Sequence, residues 1–468
     1  MSWRASATAI LVAAACPLGL SRMSLADSPA PDSRPSGEAT PDESLLGTVE
    51  VNGSSDSMPP LPKLALVPIF PTGEPDSIVN LVVRRDMELS GQFDVLPETQ
   101  SPAGPFTRTT AVDLASWHDK GAEYLLRVYA QASGPDASEV ELVGEAYLTA
   151  KSAQGAAQST GSQAPSASDA PPTPPPEAKP LYRTAVTART LRVRPAAHEL
   201  VDKLLGALTG QPGGFASQMT YSEKVGRWQR VFIIDSDGFD LRPVGPSDAT
   251  AISPSFGPGG QIFYALSSDY EPFHVVFGAS ATRVPFSIPG SVMGLTFSSD
   301  RSRLAVVSMV DGESRLWIGP KGELSRVDLP PFAHSPVFGP LGKTAYVAGS
   351  RVQRVYVDGK PISPAGFMAS APVFCDTPQG LLVVYTVGVG TGADIIATDT
   401  SGGGLRRFTR HEGANTYAAC SPDGRLVSFF STGKRGQGAG LFIAPIARPW
   451  LAKKISSEVG ESLRWERR

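Results

Sequence analysis

His198-Glu199 is the pair in this 468-residue chain whose types come nearest to hydrolytic chemistry, being half of a zinc-protease motif. Such a motif needs a second histidine four residues after the first, on the same helical face, and Asp202 stands there instead. Zincin chemistry therefore fails, and His198 is expected on a helix surface or between domains. Gly342-Lys343-Thr344 echoes a phosphate-binding loop, but Val337 occupies the place of its first glycine and strand-forming residues surround it. It reads as a turn. There is no Gly-x-Ser-x-Gly elbow, and the five histidines are too scattered for metal-ligand spacing.

The residues that remain suit binding better than catalysis, and a repeat positions them. Apolar strand runs follow turn-rich segments such as Ser255-Phe256-Gly257-Pro258-Gly259-Gly260, Thr296-Phe297-Ser298-Ser299-Asp300, Val337-Phe338-Gly339-Pro340-Leu341-Gly342 and Ala419-Cys420-Ser421-Pro422-Asp423-Gly424. The anchors fall at 256, 297, 338, 374, 420 and 465, a period of about 40 residues, as in β-propeller blades. Asp237-Gly238 and Asp358-Gly359 are hairpin signals within the units. Val231 to Asp235 and Leu241 to Val244 belong to a blade without a first strand, and Ser462 to Trp465 is a strand without a blade. Joining the two closes a six-bladed ring and removes its free edges. A β-sandwich is the plainer alternative, and the fixed period and split unit argue against it.

In such a ring the residues before each innermost strand line one mouth of the central channel. Reading back from the anchors gives Thr250, Met293, His334, Ser370, Asn415, Thr416 and Glu461, a polar set with one apolar member. It suits docking of a protein loop or helix through several modest contacts.

Ahead of the repeats the pattern is α+β. Leu64 to Ile69 is a buried-strand run; Asp76 to Ser90 is a helix, with Asp76 as N-cap and Gly91 as C-cap. Phe93 to Leu96 is a short strand. Leu114 to Gly121 is a helix with Trp117 inward, leading into a strand from Tyr124 to Tyr129. Glu139 to Leu148 and Thr184 to Arg194 read as paired strands flanking a low-complexity insert at about 152–179. Ala196 to Leu208 is an amphipathic helix stopped by Gly210. The expected organisation is a signal peptide over 1–26, a disordered tether over 27–60, an α/β domain over 61–211 and the propeller over 212–468.

Arg4, the apolar Ala9 to Ala15 and the small residues Ser24-Leu25-Ala26 carry the export reading; lipidation at Cys16 is the alternative there. No later stretch is long enough to span a bilayer. A net charge of −3 makes nucleic acid an unsuitable main partner. Cys375 and Cys420 could form a disulfide in an oxidising compartment, but they sit one residue out of step in their repeats. That offset aims them at different faces and predicts two buried free thiols.

These segments in order resemble the TolB family of Tol–Pal cell-envelope proteins, over roughly residues 61 to 468. The likeness is carried by Leu64 to Pro68, Arg85-Asp86-Met87-Glu88-Leu89-Ser90-Gly91-Gln92-Phe93, Trp117 to Leu125, Ala197 to Asp202, Leu208-Thr209-Gly210 and Ile234 to Gly238. Only Ser421 to Gly424 keeps the full Ser-Pro-Asp-Gly turn, and the insert and long tether are unusual. The resemblance implies a non-enzymatic periplasmic adaptor without cofactor. It would bind a Pal-like lipoprotein at the propeller mouth and a TolA-like inner-membrane protein through its N-terminal region. It would act as a monomer, meet membranes only through those partners, and support outer-membrane integrity and division. The alternative is an exported propeller hydrolase or lyase with its active site in the channel.

Overall fold

Pro75 cannot donate a backbone hydrogen bond, so it fits the first turn of a helix, where that donor has no partner anyway. Helix α1 (Glu74–Ser90) accordingly begins before Asp76, which is a buried residue of its first turn and not the cap. The Asp76 carboxylate accepts from Thr72 N at 2.9 Å and from Ala130 N at 2.7 Å, tying the helix start to the sheet. The computed structural model describes residues 58–467 apart from 105, 134–137, 150–177, 269, 321, 331, 411–412 and 434–435. The expected signal peptide with Cys16, the tether up to residue 57 and the insert up to residue 177 lie outside the described residues. No helix among the described residues is long and apolar enough to cross a membrane.

Strands β1 (Lys63–Leu66), β2 (Asp94–Val95), β3 (Tyr124–Ser133), β4 (Glu139–Leu148) and β5 (Tyr182–Arg189) form one sheet in the order β2-β1-β3-β4-β5. β1 runs parallel to β2 and β3; the other pairs are antiparallel. Alternation sorts the side chains. Leu64 and Leu66 join Val79, Val82, Met87, Leu200 and Leu204 from α1 and α3 (Val193–Thr209), while Ala65 and Val67 join Trp117 from α2 (Leu114–Asp119) on the other face. Gly91 and Gly210 end the long helices in left-handed conformation, as expected of C-caps.

The remaining strands form six four-stranded sheets. Counting from the first complete unit, the inner strands of blades one to five are Thr250–Phe256, Ser291–Phe297, His334–Phe338, Ala369–Thr377 and Asn415–Cys420. Blade six is split as the sequence implied. Its inner strand Glu461–Trp465 pairs with Gln218–Val225, which continues into Trp228–Asp235 and Arg242–Val244. Trp465 Nε1 donates to Ser217 Oγ at 2.8 Å, pinning the closing strand. Asp358 and Gly359, both at positive φ, make the expected hairpin turn, and Pro340–Gly342 is a blade turn and not a phosphate loop.

The cysteines correct the sequence expectation, for Cys375 and Cys420 are joined in a disulfide with Cα atoms 5.6 Å apart. Both are buried in one apolar cluster between blades four and five. Neighbouring blades pack face against opposite face. Residues one step out of register in adjacent inner strands therefore point toward each other, which is the reverse of what holds within a single sheet.

The core does not stop at the domain boundary. Val83, Met87, Leu200 and Leu204 share one cluster with Phe215, Met219, Tyr221, Leu426, Phe430, Leu463 and Trp465 of blades five and six. The N-terminal domain sits at the end of the ring where inner strands finish. There Arg425, in the turn after the blade-five inner strand, donates to Thr209 Oγ1 at 2.9 Å and Gln211 Oε1 at 3.2 Å.

Candidate functional site

The opposite end of the ring, where inner strands begin, is the mouth proposed from sequence. Each of five inner strands carries a residue at positive φ three places before its anchor: Ser253, Ser335, Ala371, Tyr417 and Ser462, with φ between 48° and 57°. In blade two this place is taken by Gly294, and the register shift there falls between Val292 and Gly294. Register shifts mark β-bulges beside these residues in the other blades. A bulge bends the strand and re-aims the side chain before it, at a cost of roughly 1–3 kcal/mol per strained residue. Bulges in all six inner strands, five of them with a residue at positive φ, are a repeated feature of the mouth.

The residue four before each anchor is Ile252, Met293, His334, Ser370, Thr416 or Glu461; it precedes the bulge in five blades and is the bulged residue itself, Met293, in blade two. Five of the residues expected from sequence thus occupy equivalent places on five inner strands. Thr250 lies two residues further from its anchor, and Ile252 holds the equivalent position in blade one. Asn415 is fully buried and donates to Ala393 O at 3.2 Å and Asp394 Oδ1 at 3.4 Å, so its amide is bound to blade four. His334 is half-buried, with Nδ1 2.9 Å from Ser335 Oγ, and burial holds its pKa below the usual histidine value. Glu461 is exposed, and its surroundings still raise its carboxyl above the usual range by desolvation. The ring therefore presents a neutral imidazole, hydroxyls, one carboxylate and two apolar side chains.

The densest group of titratable side chains lies at the junction of the two domains. His198, on α3, is buried, with Nδ1 2.6 Å from Asp86 Oδ2 on α1 and Nε2 3.9 Å from Asp235 Oδ2 of blade six. It is interdomain, as one of the two sequence expectations had it, and not on the surface. Arg194 binds Asp235 Oδ2 at 3.1 Å and also bonds Asp237. Arg85 donates to Asp237 O at 2.9 Å, and both guanidiniums lie over the Phe239 ring, at 4.7 Å and 4.8 Å from its centre. His198, Asp235 and Asp237 are close enough to share a cation, but Arg194 already supplies a positive charge to both aspartates. Among the described residues no other such group occurs, and none lies in the channel.

Sequence reasoning did not find the partners of His198, because Asp86 is 112 residues away in the chain. The bulge positions were findable: small residues stand three before the anchor in five blades.

The profile of the TolB amino-terminal domain matches residues 47–143. "Tol-Pal system protein TolB" of Xanthomonas oryzae pv. oryzae (strain PXO99A) is 25% identical over 221 residues, covering 46% of this chain and 43% of that protein. Its counterpart in Xanthomonas campestris pv. campestris (strain B100) is 26% identical over the same length and shares. The chain is thus matched over less than half the length of these relatives. The crystal structure of TolB from Acinetobacter baumannii superposes with a TM-score of 0.65 at 17% identity, covering 88% of this chain and 98% of that one, which shows a common fold. Residues 47–143 thus match the TolB amino-terminal domain, and the described chain shares the fold of the Acinetobacter baumannii TolB structure.

Proposed function

We propose that this protein is a non-enzymatic periplasmic adaptor in a Tol–Pal-like envelope complex. On this reading the propeller mouth binds a Pal-like lipoprotein, and the region ahead of β1 engages a TolA-like inner-membrane protein. The link would help hold the outer membrane to the cell, most of all during constriction. The observation that supports it best is the mouth itself. Bulged inner strands in all six blades, on the end left uncovered by the N-terminal domain, offer a mostly polar ring without clustered acids, imidazoles or a nucleophile–base pair. Such a surface suits many modest contacts to a protein partner better than a reaction. The TolB relatives add the envelope context.

The test is co-purification from cross-linked envelopes, followed by binding of the purified Pal-like lipoprotein to the full chain. Replacing His334 and Glu461 together by alanine should weaken that binding at least tenfold and leave the fold intact. Deleting residues 27–60 should abolish capture of the TolA-like protein. Recovery of no envelope protein by the intact chain would overturn the adaptor reading; hydrolase or lyase activity lost on changing the same residues would favour the enzymatic alternative.

A further inference from the structure

The end of the channel facing the N-terminal domain is lined by the residues immediately before the anchors: Ser255, Thr296, Val337, Val373, Ala419 and Arg464. Five of the six side chains are short. The sixth is an arginine, at a place where the repeat otherwise leaves room along the axis. Arg467 lines the same space, a cavity of about 60 Å³, and donates to the carbonyls of Phe338 and, at closer range, Phe374. Arg301 is also in the lining, and its charge is met by Glu466 at 3.1 Å.

Of the other two charges, Arg467 feels the carboxylate of Asp376, whereas Arg464 has no carboxylate partner among the described residues. The lining contains no carboxylate side chain. Arg464 donates through Nη1 to the carbonyl of Leu463 at 3.0 Å, while its Nε is buried and meets no acceptor among the described residues. A buried donor on a charged group is costly to leave unmatched, and two like charges in one cavity add repulsion. Burial, and after it the charge of Arg467, draws the Arg464 guanidinium down to about 10. An oxyanion answers both needs at once, because its several oxygens accept from more than one guanidinium. The space corresponds to about four waters, which suits one small ion and not a chain segment.

We propose that this end of the channel binds a single tetrahedral oxyanion, sulfate or phosphate, between Arg464 and Arg467. This site is separate from the mouth and does not depend on the adaptor reading. The experiment is isothermal titration of the full chain with sodium sulfate in a chloride buffer of matched ionic strength. The wild-type chain should give a saturable isotherm of one ion per chain and a rise in melting temperature. Arg464→Ala gives blade six the short side chain that Ala419 provides in blade five; it should abolish the isotherm and melt no lower than wild type in chloride alone. Arg467→Gln should weaken binding at least tenfold. No saturable isotherm in the wild type, or an affinity unchanged in both variants, would overturn the proposal.

Discussion

His198 Nδ1 lies 2.6 Å from Asp86 Oδ2, so a buried hydrogen-bonded pair joins the two long helices of the N-terminal domain at the surface they offer to the propeller. Burial alone would push the His198 pKa down. The charge of Asp86 opposes it, with Asp237 and Asp235 adding to the effect, and raises it to about 9. Removing one member of such a pair strands the other charge in the interior, which is why junctions of this kind break when either partner is lost.

That shift fixes the direction of a pH dependence. A histidine near 6.5 in the unfolded chain and near 9 in the fold contributes stability that is complete below 6.5 and lost as pH rises through 9. Asp86, Asp202 and Glu223, raised chiefly by burial to about 6, about 7 and about 7, also cost stability as pH rises, but their losses level off about one unit above those values. The melting temperature should therefore go on falling between about pH 8 and 9.5, and His198→Gln should flatten that part of the fall. An imidazole resonance of His198 titrating near 6.5 would contradict the assignment.

How far the sequence could be read follows from which relationships are local. The split blade was legible because Ser462 to Trp465 has strand character and no neighbour in sequence, although its immediate partner, Gln218–Val225, escaped notice. Five of the seven expected mouth residues recur at a fixed distance from visible anchors, whereas Thr250 and the buried Asn415 do not. What failed were relations across interfaces. By the rule for one sheet the cysteine offset points the two side chains apart, whereas two blades meet face to back. Asp86 and Asp235 approach His198 from different elements, and no periodicity announces that. Arg464 could have been seen as the one long side chain in a column of short ones.

Gly91 should tolerate no side chain. It ends α1 at φ 62°, and a Cβ there would lie 2.1 Å from Cγ of Pro445 in blade five. The left-handed conformation costs an alanine roughly 1–2 kcal/mol, and the collision with a rigid ring costs roughly another 1–3. Gly91→Ala is expected to lower the unfolding free energy by about 2–5 kcal/mol, measured by urea denaturation. Because the core runs through both domains, the loss should appear as one shifted transition and not as release of the N-terminal domain alone.

The Cys375–Cys420 bond closes a loop with a sequence separation of 45 residues. Chain entropy over a loop of that length gives stabilisation of about 4 kcal/mol at most, and measured values for native bonds cluster at about 2–4. Chain recovered from an oxidising compartment should show no reactive thiol at these positions after denaturation. Cys375→Ala with Cys420→Ala should lower stability by that amount while leaving the blades assembled. Two thiols titrating in the unreduced protein would refute the pairing.

Trp465 and Glu461 share one short strand and should behave differently. Trp465 is buried against the first residues of the propeller, and its indole donates to Ser217 Oγ. Truncation to alanine removes that bond and leaves a large cavity where the ring is sealed, at a cost of about 3–5 kcal/mol. Glu461 is exposed at the mouth, so Glu461→Ala should leave stability within about 0.5 kcal/mol. Urea denaturation of both variants tests the contrast. If Trp465→Ala were as stable as Glu461→Ala, the strand would not be what closes the ring. If Glu461→Ala unfolded the protein, its carboxylate would serve the fold, and the mouth would lose its one charged contact as a candidate for partner binding.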